Sequence, residues 1–305
     1  MPTTPQRWSA WHLHLGTTAR SAHDRVLTDV IGPTVGELPP GTPWFFIRYW
    51  QSGPHLRLRV ADLDPDTYAR VEQALRGRLA VAGRLADGEE PLAEEAYQEG
   101  AARLAAAGET GVNTTVRALL PPGVHRAGYD PEYERYGGPH VMPAAESLFH
   151  LSSALVLRLA PGLTGGARAR LALRGTLSAA VALGGPADRA HYFARGLAAW
   201  RAWASSAGHS EELLDRITRI DQDPATARVP QDAHGPFTGW YEALAAHAAV
   251  IRLHSPVHPG MILFSHAHML HNRLGLSLLE ELRTYAWLSH VFPAAAPAPD
   301  PAPTG

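Results

Sequence analysis

Cysteine and lysine are both absent from the 305 residues, so all 27 basic side chains are arginine. Without cysteine there is no disulfide framework, no zinc–thiolate site, no iron–sulfur cluster and no thiol nucleophile. Without lysine there is no protein Schiff base and no lysine-anchored PLP. Charge of one sign is not in excess. The 27 arginines face 29 acidic residues, for a formal net charge of -2, which gives no global reason to expect direct nucleic-acid binding. No uninterrupted apolar stretch approaches the roughly 20 residues of a membrane span, and even Ala154 to Leu163 is broken by Arg158. Met1 to Arg7 has no apolar core of signal-peptide type, so a cytoplasmic protein without membrane association is the expectation. Gly-x-Gly-x-x-Gly and P-loop motifs are missing as well, and no organic cofactor is expected.

What is present reads as a globular chain, 45% apolar and 18% charged, long enough to bury a full core. Trp11 to Leu15 alternates apolar and polar, as a half-buried strand does. Trp44 to Trp50 is aromatic and strand-like. It is followed by a Ser52-Gly53-Pro54 turn and by the strict alternation of His55 to Val60, and the pair predicts a hairpin. In that strand Arg57 and Arg59 share one face, opposite Leu56, Leu58 and Val60. A helix capped by Asp64, with Pro65 at its first position, is predicted to run to about Ala86, with a second ending near Gly108. Asn113 to Leu119 reads as a further strand and Pro121 to Pro143 as an ordered loop. Helices are then predicted over 144–159, 167–183, 187–206, 211–220, 238–253 and 266–288. The expected class is α+β: an antiparallel sheet from the N-terminal third packed on a largely helical C-terminal part. One domain is expected over 1–292, and an Ala/Pro-rich disordered tail over 293–305.

Three clusters carry chemistry. The first holds Arg57 and Arg59, with Arg48 on the neighbouring strand. Two guanidiniums about 7 Å apart on one strand face form a carboxylate site if that face is covered, and a solvated outer face if it is not. The second, Tyr129 to Gly138, contains Glu132, Arg135 and Tyr136. It is either a pocket or a surface loop whose Glu–Arg pair contributes ~0–1 kcal/mol. The third gathers His254, His258, His266, His268 and His271. Pro256 disfavours a regular His254/His258 pair, whereas His268 and His271 can share a helix face. With no Asp or Glu inside the histidine run and no His-Glu-x-x-His, a histidine base is the more economical reading, and no metal site and no stoichiometric zinc are expected in the protein.

Taken in order, Phe45-Phe46-Ile47-Arg48-Tyr49, His55-Leu56-Arg57-Leu58-Arg59, the Tyr-x-x-Glu-x-x-Arg-Tyr-Gly-Gly of Tyr129 to Gly138 and the His-Met-x-x-Asn-Arg-Leu-Gly of His268 to Gly275 resemble the C-terminal elimination domain of class I lanthipeptide dehydratases. The chain is equally similar to the standalone thiopeptide-type bacteriocin biosynthesis proteins. The resemblance implies a lyase that removes glutamate from glutamylated Ser or Thr of a ribosomal precursor peptide, leaving dehydroalanine or dehydrobutyrine. It implies His268 as the proton-transfer residue, and Arg57, Arg59 and Arg135 on the glutamyl group. Glu132 would orient Arg135, with Tyr136 and Arg48 also at the substrate, and Asn272 and Arg273 either bracing their segment or touching substrate. The implied partners are the precursor peptide, leader and core, and a separate tRNA-dependent glutamylation protein; a homodimer is compatible with this. Pyridine synthases, which join two dehydroalanines in a formal [4+2] cycloaddition and release water and leader peptide, resemble the same domain and stand as the alternative. A non-catalytic module that captures a peptide on a sheet edge, and a histidine-ligated metal enzyme, are the readings from other classes.

Overall fold

The structure is a computed structural model describing residues 6–107, 115–221 and 237–294. It confirms the α+β class. Four strands, β1 (Trp8–His14), β2 (Trp44–Tyr49), β3 (His55–Ala61) and β4 (Gly123–Ala127), form one antiparallel sheet in the order β2-β3-β1-β4. The β2–β3 turn requires positive φ at Ser52 (64°) and Gly53 (103°). The fourth strand lies inside the stretch read as loop. Residues 115–119 carry no strand, and Asn113 lies outside the described residues. Its Gly123-Val124-His125 alternation is only five residues long, too short to stand out against flanking prolines and glycines.

Period-2 alternation gives the sheet two unlike faces. Trp11, Leu13, Leu56, Leu58 and Phe46 are fully buried on one of them. Helix α3 (Pro65–Ala82) covers this face, and its Glu72 accepts a hydrogen bond from the Trp11 indole (3.2 Å). Asp64 caps α3 through the amides of Asp66 and Thr67, as its sequence predicts, but the helix stops at Ala82 rather than near Ala86. Helices α1 (Arg20–Val26) and α2 (Gly32–Gly36), joined by a π turn over Leu27–Ile31, pack beside α3; the sequence pattern gave no warning of them.

Helix α4 (Glu94–Ala107) precedes β4, and among the described residues seven more helices follow it: α5 (Met142–Leu159), α6 (Gly165–Leu183), α7 (Pro186–Ser206), α8 (Glu211–Thr218), α9 (Thr238–His254), α10 (Pro259–Leu274) and α11 (Leu278–Val291). The helix predicted over 266–288 is two helices. Gly275, at φ 75°, ends α10 in the left-handed conformation, and Ser277 opens α11 with a capping box to Glu280. An alanine Cβ at 275 would also stand 3.0 Å from the Arg48 guanidinium carbon.

The outer edge of β2 is closed by side chains of the helical part. The amide of Trp44 lies 3.2 Å from His150 Nδ1, that of Phe46 donates to Ser153 Oγ (3.1 Å), and that of Arg48 donates to Asn272 Oδ1 (2.8 Å). Asn272 Nδ2 returns a bond to the Arg48 carbonyl (2.9 Å). These pairs satisfy the N–H groups an edge strand would otherwise offer to an added chain. A peptide cannot extend the sheet here.

Candidate active site

The second sheet face carries Phe45, His55 and Arg59, which are buried, and Ile47, Arg57 and His12, which are partly exposed. Its β2–β3 end forms one wall of a solvent-open cleft of about 360 Å³, open solvent at its mouth included. Phe45, Ile47 and Arg59 come from the sheet. Tyr129, Asp130, Glu132 and Tyr136 come from the loop after β4, Met142 and Phe149 from α5, and Met269 and Arg273 from α10. Met269 and Arg273 are i, i+4 on α10 and therefore share a face.

Two guanidiniums in this cleft are buried without a carboxylate. Arg273 is 1% exposed; its Nε donates to Ser153 Oγ (2.9 Å), while both terminal nitrogens have no hydrogen-bond partner. Arg59 is 7% exposed, and its Nε also has none. Arg59 sits over the rings of Phe45 (5.3 Å) and Tyr129 (5.0 Å), and Arg273 over Phe149 (5.6 Å). Burial lowers the Arg59 pKa to about 10, with the Arg57 charge adding to the effect. Burial lowers Arg273 to about 9, and the Arg59 charge contributes. Both stay cationic near neutrality. Aromatic faces compensate a charge only partly, so an anion between these groups would relieve their desolvation.

Arg135 and Arg57 flank the pair. Arg135 NH1 donates to Glu132 Oε2 (3.3 Å), as the motif implies, and the guanidinium lies 5.7 Å from the Tyr136 ring. Arg57 shares the sheet face of Arg59, stacks 3.5 Å over Tyr49 and donates from Nε to His55 (3.1 Å). The charge of Glu132 acts on both Arg57 and Arg59. The cleft therefore takes Arg59, Glu132, Tyr136 and Arg273 into its lining, with Arg135 held to Glu132 and Arg57 two residues from Arg59 on the same sheet face.

Three expected site residues are elsewhere. Arg48 points to the opposite sheet face, where its NH2 pairs with Asp24 (2.8 Å) and its Nε donates to the Arg273 carbonyl (3.1 Å). Asn272 is spent on the β2 edge. The motif residues Asn272 and Arg273 thus have different jobs, the first holding strand to helix and the second facing the cleft. His268 projects from α10 away from the cleft. Its Nδ1 lies 3.0 Å from Glu281 of α11, and its ring is 5.2 Å from Trp200 of α7. His271 Nδ1 meets the same carboxylate at 2.9 Å. Burial alone would raise the Glu281 pKa, but the His268 charge and the bonds from both imidazoles hold it below its usual range. Helical spacing explains the placement, because His268 is turned about 140° around the axis from Arg273.

The imidazole behind the cleft is His266, fully buried, with its ring 5.1 Å from Tyr136 and 5.4 Å from Phe149. Its Nε2 lies 3.2 Å from His247 Nε2. Burial, with the charges of His247, Arg273 and Arg135, keeps its pKa well below the ordinary histidine value. Among the sequence clues, only its i, i-7 relation to Arg273 marked this side of the helix.

The family described as "Lantibiotic biosynthesis dehydratase C-term" matches residues 8–292. The chain belongs to that family. Among solved structures it is similar to the pyridine synthase TbtD from thiomuracin biosynthesis, at 19% identity and a TM-score of 0.69, over 95% of this chain and all of TbtD. It is also similar to the tRNA-dependent lantibiotic dehydratase MibB from Microbispora sp. 107891, at 21% identity and a TM-score of 0.56, over 95% of this chain but only 28% of MibB. Both likenesses show the shared fold. No curated protein matches the chain. No helix among the described residues is long and apolar enough to cross a membrane.

Proposed function

We propose that this family member is a lyase of ribosomal peptide biosynthesis, eliminating glutamate from glutamylated Ser or Thr of a precursor peptide. The observation that carries the reading is the pair of buried guanidiniums, Arg59 and Arg273, facing one cleft with no carboxylate on them. A glutamyl ester supplies a free carboxylate on binding and a second when the ester oxygen leaves. Arg forks match both groups. In the reaction the Cα proton departs, the Cβ–O bond breaks with its electrons going to the glutamate carboxylate, and a Cα=Cβ bond forms. Arg59 and Arg273, both buried, stabilise the leaving anion, because fixed charges shielded from water act most strongly. Arg57 and Arg135 hold the rest of the glutamyl group, and Glu132 keeps Arg135 in register. A separate protein supplies the ester, using glutamyl-tRNA.

Pyridine synthesis fits the same fold, and TbtD carries that name. Its leaving groups, water and a leader peptide, are not carboxylates that two buried guanidiniums would be needed to stabilise. The two reactions separate in one experiment. The purified protein is given a glutamylated precursor peptide, and in parallel a peptide already bearing two dehydroalanines, and products are read by mass spectrometry. Elimination predicts loss of one glutamate per modified site and no macrocycle. A macrocycle with release of leader peptide overturns the reading. The proton acceptor is assigned in the same assay. His268 faces Glu281 and Trp200, outside the cleft, so His268→Ala should keep elimination, with the cleft-rim carboxylates Asp130 and Glu132 placed to take the proton; a folded His268→Ala that no longer eliminates overturns this assignment.

A further inference from the structure

Outside the arginine pair, the same sheet face carries a second cluster that the reaction does not use. His12 and His14 are i, i+2 on β1, and His14 stands directly across from His55 on β3. The rings of His14 and His55 are 4.3 Å apart and those of His12 and His55 4.8 Å. One nitrogen from each of the three lies within 4.8 Å of the others. His14 is 1% exposed; a backbone group of Ser52 acts on its ring, but neither ring nitrogen makes a hydrogen bond of good geometry. Such a group costs about 1–3 kcal/mol unless something binds it. His55, equally buried, is oriented for ligation: its Nδ1 lies 2.8 Å from the Gly53 carbonyl, which fixes the N–H there and makes Nε2 the acceptor, a lone pair now held by Arg57 Nε at 3.1 Å. His12 is partly exposed and gives the cluster an opening to solvent.

We propose that His12, His14 and His55 form a three-imidazole site for a late first-row divalent cation, Zn²⁺ foremost, with the fourth position open. Donor type and number are those of three-histidine zinc sites, and imidazole selects these metals over Mg²⁺ and Ca²⁺. Zinc–nitrogen distances of about 2.0–2.1 Å require the rings to close in, which rotation about the broad χ2 of histidine permits. Burial keeps the three imidazoles neutral, the form that ligates: His12 is lowered to about 3, His14 to about 4 and His55 to about 2. Four charged or titratable groups lie about the site: His125, Arg57, Arg59, whose charge acts on His12, and Tyr49, whose ring is 5.7 Å from His55. His125 of β4 packs edge-on to His14 (4.9 Å), and Arg57 donates to His55 Nε2. The metal therefore competes with Arg57 for one lone pair. Binding would free the guanidinium beside the cleft and tie β1 to β3.

Untagged full-length protein, stripped with chelator, is titrated with Zn²⁺ by calorimetry and with Co²⁺ by visible absorption. One ion per chain is expected, with the Co²⁺ bands of a four-coordinate nitrogen site. His12→Ala and His14→Ala should each weaken binding by more than about tenfold, His254→Ala on an exposed helix end should not, and Arg57→Met should tighten it. Zn²⁺ should raise the Tm of the unaltered protein but not of His12→Ala. Because His12 is partly exposed, that variant keeps the test valid if His14→Ala fails to fold. Absence of stoichiometric binding, or binding that both His12→Ala and His254→Ala leave unchanged, overturns the proposal.

Discussion

Arg273 is the more deeply buried of the two cleft guanidiniums and both its terminal nitrogens are unpartnered, which sets its mutational signature. Replacing it with methionine removes a buried charge that nothing in the structure neutralises, at the loss of one hydrogen bond to Ser153. Arg273→Met should therefore keep or raise Tm, while glutamate release falls by about 100-fold or more, the size seen when one anion-stabilising donor is removed. Thermal melts and single-turnover assays on the same preparation check both halves. A large drop in Tm would mean the guanidinium is a structural group. Other buried histidines govern acid stability. His23 and His247 are lowered to about 3 and about 4, chiefly by burial, and His266 is lowered well below its usual value. The unfolded chain binds protons near pH 6.5 and the folded one does not, so their contribution is complete above pH 6.5 and shrinks as pH falls toward the folded values. Denaturant titrations should show stability declining from pH 6.5 to 5, by roughly 1–2 kcal/mol per histidine. A flat profile over that window would contradict the burial of these rings.

At the level of elements, the β2 edge and the α10–α11 corner decide whether the cleft is assembled. Asn272 makes two bonds to the Arg48 backbone, and Gly275 leaves α10 in a conformation that side chains resist. Asn272→Ala strands a buried-edge amide and should lower stability by about 1–3 kcal/mol. Gly275→Ala should lower it by about 1–2 kcal/mol from the positive φ alone, with the Arg48 contact adding to this. Chemical denaturation measures both, and a neutral result at either position would show that the corner is not held as described. These elements also show what a sequence reading can reach. The β2–β3 hairpin, the Asp64 cap and the common face of Arg57 and Arg59 follow from alternation and capping chemistry, which are local. The break at Gly275 is equally local, since the glycine and the Ser277–Glu280 capping box announce it, whereas which side of α10 meets the cleft and the use of Asn272 on a strand 224 residues away depend on how α10 packs between sheet and helices. No spacing rule carries that information. The short β4 was lost among turn-forming residues for the same reason that short strands usually are.

Across the whole molecule, the sheet's two faces divide the work. One is buried under α3 and makes core; the other carries the cations and meets α5, α10 and the Tyr129–Tyr136 loop to make the cleft. Family membership over residues 8–292 fixes the fold, while the arginines without acidic partners argue for the chemistry. The most direct test measures free glutamate released from a glutamylated precursor peptide by the unaltered protein and by Arg59→Gln. Release of one glutamate per modified residue by the unaltered protein, with appearance of the dehydro-residue and near-complete loss in Arg59→Gln, is the predicted result. No glutamate release from the unaltered protein, or equal release by the variant, would contradict the account.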